Sequence, residues 1–232
     1  MTDRSSSTPR AAGSSTSVAE VVARVAKPRL RGWLHATAAP LVLAAGIVLV
    51  ALAPRADTGW SSAVYGLSGL VLFTTSATYH LGQWSSAVER RLKRADHANI
   101  YLIIAGSYTP IAVTALDGGE QTTVLTVVWV GTALGVGFRL LWIDAPRWLS
   151  TLLYVVLGWS IAPFIGSVFD VDVAAGALIA TGGVLYTLGA VVYATKWPDP
   201  APAWFGFHEV FHAFTIAAWT CQYVAISLLV LG

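Results

Sequence analysis

Two histidines four residues apart, His208 and His212, stand in the stretch FHEVFHAF, and Glu209 comes directly after the first of them. Residues i and i+4 lie on the same face of an α-helix, so both imidazoles can reach one metal ion. His-Glu-x-x-His on a helix is also the pattern in which zinc proteases place two ligands and a general base. The sequence therefore predicts a metal site and leaves open which chemistry, if any, it serves.

The composition indicates the environment in which this stretch must lie. Of the 232 residues, 56% are hydrophobic and only 11% are charged, whereas an average soluble domain has about 25% charged residues. An ordinary soluble domain is therefore excluded, and the sequence predicts a multi-pass protein of the cell membrane. A single cysteine, Cys221, excludes an intramolecular disulfide.

Apolar stretches of about 20 residues are long enough to cross a bilayer as helices. Seven qualify: 33–53, 60–82, 98–116, 122–143, 149–169, 173–195 and 207–231. Pro110 predicts a kink in the third, because proline lacks an amide donor. Gly131 and Gly135 predict close helix packing in the fourth. Residues 1–27 begin with a Ser- and Thr-rich stretch and are predicted to form a disordered cytoplasmic tail, followed by one membrane domain over 28–232.

The positions of the basic residues predict how these segments are oriented. Cytoplasmic segments of membrane proteins are enriched in Lys and Arg. With seven crossings and a cytoplasmic amino terminus, all but Arg55 of the 14 Lys and Arg residues lie on the cytoplasmic side. The predicted fold is therefore an all-α bundle of seven transmembrane helices, with its carboxyl terminus outside.

This topology brings dispersed ionisable residues to one end of the bundle. His80 ends the second segment, Asp96 and His97 precede the third, and His208 and His212 begin the last, all on the cytoplasmic side. Buried ionisable groups in membranes are costly, and they are usually paired or functional. We therefore expect His80 to supply a third metal ligand.

Other interpretations apply to three neighbouring residues. His35, near the inner start of the first segment, is more typical of an interfacial anchor than of a ligand. His97 adjoins Asp96 in a short basic loop, which favours a solvated side chain. Asp96 is also a preferred residue at a helix N-cap.

The chain after the second histidine disfavours the protease interpretation. In the commonest proteases of this kind the third ligand lies downstream, but no His, Asp or Glu occurs after His212. A third ligand must therefore come from upstream. Glu209 lies about 100° around the helix from His208, so a role as a base stays open.

Three motifs together resemble a known family. Ser76 to His80 reads S-x-x-x-H, Asp96 leads into DHANIYLIIAGSYTP, and residues 208–212 read H-x-x-x-H. This combination resembles the hemolysin III family, the bacterial branch of the progestin and adipoQ receptors, from about residue 28 onward. The start, KPRLRGWLHA, lacks the Glu-rich entry of many relatives.

The resemblance implies a seven-helix fold with a zinc ion near the cytoplasmic face. It implies that His80, His208 and His212 bind Zn²⁺, that Asp96 holds a water on the metal, and that Ser76 lines the same site. It also implies a relation to membrane ceramidases, which hydrolyse amide-linked lipids.

Three classes of function are consistent with these observations. The first is a zinc-dependent hydrolase of membrane-lipid amides or esters, acting in lipid homeostasis with Asp96 as the proton acceptor. The second is a non-enzymatic sensor or receptor in which the metal is structural. The third is a channel or lytic protein, although no segment shows a continuous polar face for a wide pore. The expected partners are membrane lipids and the bilayer. Nucleic acid is not expected, and the sequence names no protein partner.

Overall fold

The computed structural model describes residues 27–232, so the predicted tail lies outside the described residues except for Lys27. Within that range the chain is helical and contains no strand, only an isolated bridge between Ala201 and Phe205. The α-helices are α1 Trp33–Leu52, α2 Ala56–Leu81, α3 Ser86–Ala115, α4 Gly118–Leu141, α5 Arg147–Gly158, α6 Ile165–Val171, α7 Val173–Thr195 and α8 Phe207–Leu231.

Local sequence signals explain where several helices begin and end. Asp172 caps α7, because its carboxylate accepts a hydrogen bond of 2.6 Å from the amide of Ala175. The same helix ends at Lys196, which takes a left-handed conformation with φ of 59°. Gly32 precedes α1 with φ of 87°, a backbone conformation that favours glycine.

Helix α3 begins earlier than the apolar pattern predicts. It starts after Ser85, so the basic stretch from Arg90 to Arg94 is helical rather than a loop. The alternative that Asp96 caps this helix is therefore wrong, because Asp96 lies inside it. The helix continues through Pro110, and its last half is almost entirely buried.

The fifth predicted segment is interrupted. After α5 ends at Gly158, a short 3₁₀ helix, Ala162–Phe164, separates it from α6. Pro163 lies in this 3₁₀ turn, where its ring and missing amide donor prevent a continuous α-helix.

Six spans among the described residues are long and apolar enough to cross a membrane, if α5 and α6 are taken as one span, Arg147–Val171. Helix α2 has 26 residues but is not among them. Its sequence contains many Ser, Thr and Gly residues, which lower its mean hydropathy. Residues such as Leu41, Leu67 and Leu134 are 61–70% exposed, as expected for side chains that face lipid.

Aromatic packing fixes α2 against α8. The Tyr65 and Trp219 rings stack at 5.5 Å between centroids, and the Tyr65 hydroxyl donates to the Trp219 carbonyl at 3.1 Å. Phe73, in the same buried cluster, meets Trp219 edge-on at 6.0 Å. Because Tyr65 and Phe73 are fully buried, these contacts set the register in which the end of α2 meets the start of α8.

The Gly131 and Gly135 pair packs closely, as predicted. A Cβ atom at Gly131 would collide with the side chain of Leu157 on α5, and one at Gly135 would collide with the ring of Tyr101 on α3. The small residues of α4 therefore admit side chains from two neighbouring helices.

Candidate metal centre

The structure brings His80, His208 and His212 together. One ring nitrogen from each lies within 4.8 Å of the others, and the Nε2 atoms of His80 and His208 are 3.0 Å apart. His80 comes from the last turn of α2, whereas the other two occupy consecutive turns of α8. His80 and His212 are 6% and 2% exposed, and His208 is partly buried.

One donor pair in the cluster has the spacing of two ligands on a tetrahedral zinc ion. Two imidazole ligands at about 2.0–2.1 Å from such an ion stand about 3.3 Å apart, close to the His80–His208 spacing. Among the described residues, Nδ1 of His212 is buried without a hydrogen-bond partner. Three converging imidazoles with an unsatisfied nitrogen suit a metal better than a hydrogen-bonded network.

Asp96 and Ser76 border the same cluster. Oδ2 of Asp96 lies 4.0 Å from Nε2 of His80, and the Asp96 side chain is 15% exposed. Ser76, one turn before His80 on α2, is buried and lies within reach of the Asp96 carboxylate. The carboxylate is near the histidines without being one of the three grouped donors.

His35 is buried beside the cluster rather than anchored at an interface. Its ring stacks on His212 with centroids 3.7 Å apart and planes 9° apart, and it meets Phe73 edge-on at 4.8 Å. It is 2% exposed, and within the described residues neither of its ring nitrogens has a hydrogen-bond partner. The interpretation of His35 as an interfacial anchor is therefore wrong.

His97 is held by hydrogen bonds and is not in a solvated loop. Its Nδ1 lies 2.7 Å from the Lys93 carbonyl, which only accepts, so Nδ1 carries the proton. Its Nε2, 3.0 Å from the Tyr193 hydroxyl, is then the acceptor. Tyr193, on α7, also packs near His208, with ring centroids 6.1 Å apart. No motif in the sequence singled out Tyr193, because an aromatic residue near a membrane interface is common.

Glu209 is committed to structural contacts. Its Oε2 accepts a hydrogen bond of 2.8 Å from the Gly206 amide, which caps α8. Its Oε1 accepts from Nε of Arg31 in an ion pair. Glu209 is fully buried, and both carboxylate oxygens are occupied, so it is poorly placed to act as a base.

The segment before α1, residues 27–32, covers the end of α2 that carries His80. Gly32 packs so closely that a Cβ atom there would lie 2.8 Å from Cβ of His80. The Lys27 ammonium group donates to the His80 carbonyl. Partial burial, followed by the nearby Arg31 guanidinium, lowers the pKa of Lys27. Arg29 lies 4.3 Å over the Trp204 ring, which ties this segment to the loop before α8.

An apolar cavity of about 250 Å³ lies in the bundle next to the histidines. Tyr193 and Phe211 form its wall at the metal end, and the Phe211 ring is 5.6 Å from that of His212. The wall then follows α8 to Thr215 and Gln222 and includes side chains from α3, α5, α6 and α7. The composition alone gives no sign of this cavity, because its residues read as ordinary core.

Long apolar helices around a buried histidine cluster define this chain as a multi-pass integral membrane protein. The sequence model of the family described as Haemolysin-III related matches residues 23–223. The chain belongs to this family, and the resemblance predicted from its three motifs is confirmed.

Individual relatives agree with this assignment. The chain is 29% identical to Hemolysin-3 of Bacillus cereus over 202 residues, which cover 85% of this chain and 89% of the relative. It is 27% identical to the Hemolysin-3 homolog of Bacillus subtilis (strain 168), with 83% and 89% covered. The Monocyte to macrophage differentiation factor of Homo sapiens is 26% identical, with 73% and 68% covered.

Proposed function

We propose that this protein is a zinc-dependent hydrolase of acyl-lipid amides or esters that acts within the membrane. The observation that carries the proposal is the position of the His80, His208 and His212 cluster between a carboxylate and an apolar cavity. Each of these parts alone has a structural explanation. Together they supply a metal, a proton acceptor and a place for an acyl chain.

Three imidazoles leave one position of a tetrahedral zinc ion open, which is typical of catalytic rather than structural zinc. A zinc ion at this site would polarise a carbonyl group and lower the pKa of water from 15.7 to about 7. His80, His208 and His212 would bind the ion as neutral ligands. Their burial excludes bulk water and strengthens electrostatic interactions at the site.

Asp96 and Ser76 would activate the attacking water. The Asp96 carboxylate, 4.0 Å from His80 Nε2, would accept the water proton and then return a proton to the leaving nitrogen or oxygen. Ser76 would orient the carboxylate through its hydroxyl. His97, bonded to Lys93 and Tyr193, supports α3 beside Asp96 and would take no proton.

The cavity would hold the acyl chain of the substrate. It opens from Phe211 and Tyr193, beside the metal ligands, into a wall made mostly of apolar side chains. Apolar surface gains about 25 cal/mol per Å² when it is removed from water, so a hydrocarbon chain suits this volume better than a polar ligand. The scissile carbonyl would then lie at the histidine end.

The experiment is an assay of free fatty acid released by the purified protein in lipid nanodiscs. The panel contains N-acyl sphingoid amides and acyl glycerol esters, and the metal-free control is His212→Ala. We expect release by the wild-type protein and none by the control. Equal release from both across the panel would overturn the hydrolase proposal.

A structural zinc in a sensor or receptor is the second candidate. Residues 27–32 close over His80 through Gly32 and Lys27, which favours a metal that ties α2 to α8. This candidate predicts zinc in the purified protein together with no turnover of any lipid in the panel. The hemolytic activity that the names of two relatives denote requires a separate test of lysis, since the cavity is apolar rather than a polar pore.

The proposed topology has seven crossings, with the histidine cluster at the cytoplasmic side. It includes α2 as a crossing because its 26 residues are long enough, and it agrees with the distribution of basic residues. A reporter that is active only outside the cytoplasm should work when fused after Gly232 and fail when fused after Arg94. The reverse pattern would contradict this topology.

A further inference from the structure

Among the described residues, two polar groups in the wall of the cavity have no hydrogen-bond partner. The side-chain oxygen of Gln222, Oε1, and the hydroxyl of Tyr186 are both buried, and neither has a hydrogen bond within the described residues. Both residues line the cavity, and Gln222 is 5% exposed. A buried polar group without a hydrogen-bond partner is unfavourable, so two such groups in one apolar cavity indicate a ligand that satisfies both.

The orientation of the Gln222 amide is set by its other contact. Its nitrogen donates to the Ile179 carbonyl at 3.3 Å, and only the nitrogen end of the amide can donate to a carbonyl. The nitrogen also packs against α7 so closely that a Cβ atom at Gly182 would lie 2.8 Å from it. The oxygen end is therefore the free acceptor of this side chain.

Tyr186 brings a donor to the same part of the wall. It comes one turn of α7 after Gly182, so both lie on the helix face that meets Gln222. The cavity wall thus offers one hydroxyl donor and one amide acceptor.

A hydroxyl group complements this pair, because it accepts one hydrogen bond and donates another. A simple alkyl chain satisfies neither group. Gln222 is ten residues after His212 on α8, so it lies about 15 Å along the helix axis from the metal end. A ligand that reaches both places carries its carbonyl at the histidines and its hydroxyl far along the acyl chain.

We propose that Gln222 and Tyr186 form a subsite for a hydroxyl group on the acyl chain, so that the preferred ligands are mid-chain hydroxylated fatty acyl lipids. This inference rests on the proposed function for the placement of the acyl chain in the cavity. The Tyr186 hydroxyl donates to the oxygen of the ligand hydroxyl, which donates in turn to Oε1 of Gln222.

The test compares ricinoleic acid with oleic acid, which differ only by a mid-chain hydroxyl. Each competes with radiolabelled oleic acid for the protein in nanodiscs, so the measurement does not require hydrolysis. Each net hydrogen bond contributes about 0.5–1.5 kcal/mol, so we expect ricinoleic acid to bind roughly tenfold more tightly. Equal binding would overturn the subsite, since an ordered water between Gln222 and Tyr186 would then serve both fatty acids alike.

Substitutions test whether Gln222 and Tyr186 are the source of the preference for ricinoleic acid. Gln222→Leu and Tyr186→Phe should each remove most of the preference for ricinoleic acid over oleic acid, measured as the ratio of the two affinities in the same variant. Ser107→Ala is the matched control, because Ser107 lines the same cavity but already donates to Ile103 at 2.8 Å. If Gln222→Leu does not fold, Tyr186→Phe alone decides, and a preference that survives Tyr186→Phe overturns the assignment.

The outcomes separate this inference from the proposed function. Binding of neither fatty acid overturns both the subsite and the acyl-chain cavity. A preference for ricinoleic acid without any lipid hydrolysis supports the subsite and overturns only the chemistry. Hydrolysis without a preference overturns the subsite and leaves the hydrolase proposal intact.

Discussion

In the first two turns of α8, the ionisable side chains on two faces of the helix make different kinds of contact. On one face, His208 and His212 meet His80, and one ring nitrogen of each lies within 4.8 Å of the others. On the other, Glu209 is fully buried and has both oxygens bound, by Gly206 and by Arg31. The members of the His-Glu-x-x-His pattern are therefore divided between a candidate metal site and structural contacts, although they are close together in the chain.

This difference shows that the roles of the residues in a short motif depend on the side chains that surround it. In a zinc protease the glutamate must reach the water, whereas here Arg31 from the other end of the chain neutralises it and Gly206 uses it as a cap. The carboxylate that borders the cluster is that of Asp96, on α3. Substitutions at four places test this separation of roles, from the largest expected effect to the smallest.

Removal of any one ligand should abolish metal binding. Purified wild-type protein should contain about one zinc per chain, and His80→Ala, His208→Ala and His212→Ala should each contain none, because two imidazoles hold zinc far more weakly than three. The measurement is metal content by mass spectrometry. His97→Ala is the control, since His97 is bonded to Tyr193, and it should keep its zinc. Zinc retained in His80→Ala would assign the site to α8 and another partner.

Asp96→Asn should reduce lipid turnover without removing the metal. Because Asp96 is not among the three grouped donors, this variant should retain zinc while it lowers lipid turnover by about 10²–10⁴-fold, the usual contribution of a general base. Fatty acid release and zinc content are measured on the same sample. Asp144→Asn, which changes an exposed carboxylate between α4 and α5, should change neither. Full activity in Asp96→Asn would exclude Asp96 as the base.

Glu209→Gln should affect stability and leave turnover unchanged. The change keeps an acceptor for the Gly206 amide but leaves the Arg31 guanidinium without its counter-charge, so the free energy of unfolding should fall by about 1–3 kcal/mol. Thermal melting in detergent measures the loss, with the exposed Glu89→Gln as the control. A turnover loss of several hundredfold at normal stability would restore the protease-like role of Glu209.

His35 should have the smallest effect of the four. His35→Phe preserves an aromatic ring against His212 and should keep zinc with nearly unchanged affinity. His35→Ala removes the stack, which contributes about 0.5–1.5 kcal/mol, and should weaken zinc binding by about 2- to 10-fold. Chelator competition measures both affinities. Complete loss of zinc in His35→Phe would show that His35 binds the metal through a ring nitrogen.

Much of the site was predictable because helical spacing and charge distribution are local properties. The i and i+4 spacing of His208 and His212 places both rings on one face whatever surrounds them. The distribution of Lys and Arg then places the end of the second apolar segment beside the start of the last. These two patterns predicted that His80 lies near His208 and His212, and the structure places it there.

The environment of the other polar residues was not predictable by the same means. His35 and His97 look alike in the sequence, as single histidines near a membrane interface. Within residues 27–232, His35 is stacked and has no hydrogen bond on either ring nitrogen, whereas both ring nitrogens of His97 are hydrogen-bonded. The partners that make this difference, His212 and Tyr193, are far away in the chain, so no local pattern indicates them.

The sequence by itself determined the class of protein, most of the helical segments to within several residues, and which three histidines come together, because hydropathy, helical period and charge distribution are local properties. Only the tertiary structure decided that Glu209 is paired with Arg31, that α3 extends through the basic stretch, and that a cavity runs from the metal end to Gln222. These features depend on which side chains meet across helices. These contacts between helices are determined by the packing of the whole bundle.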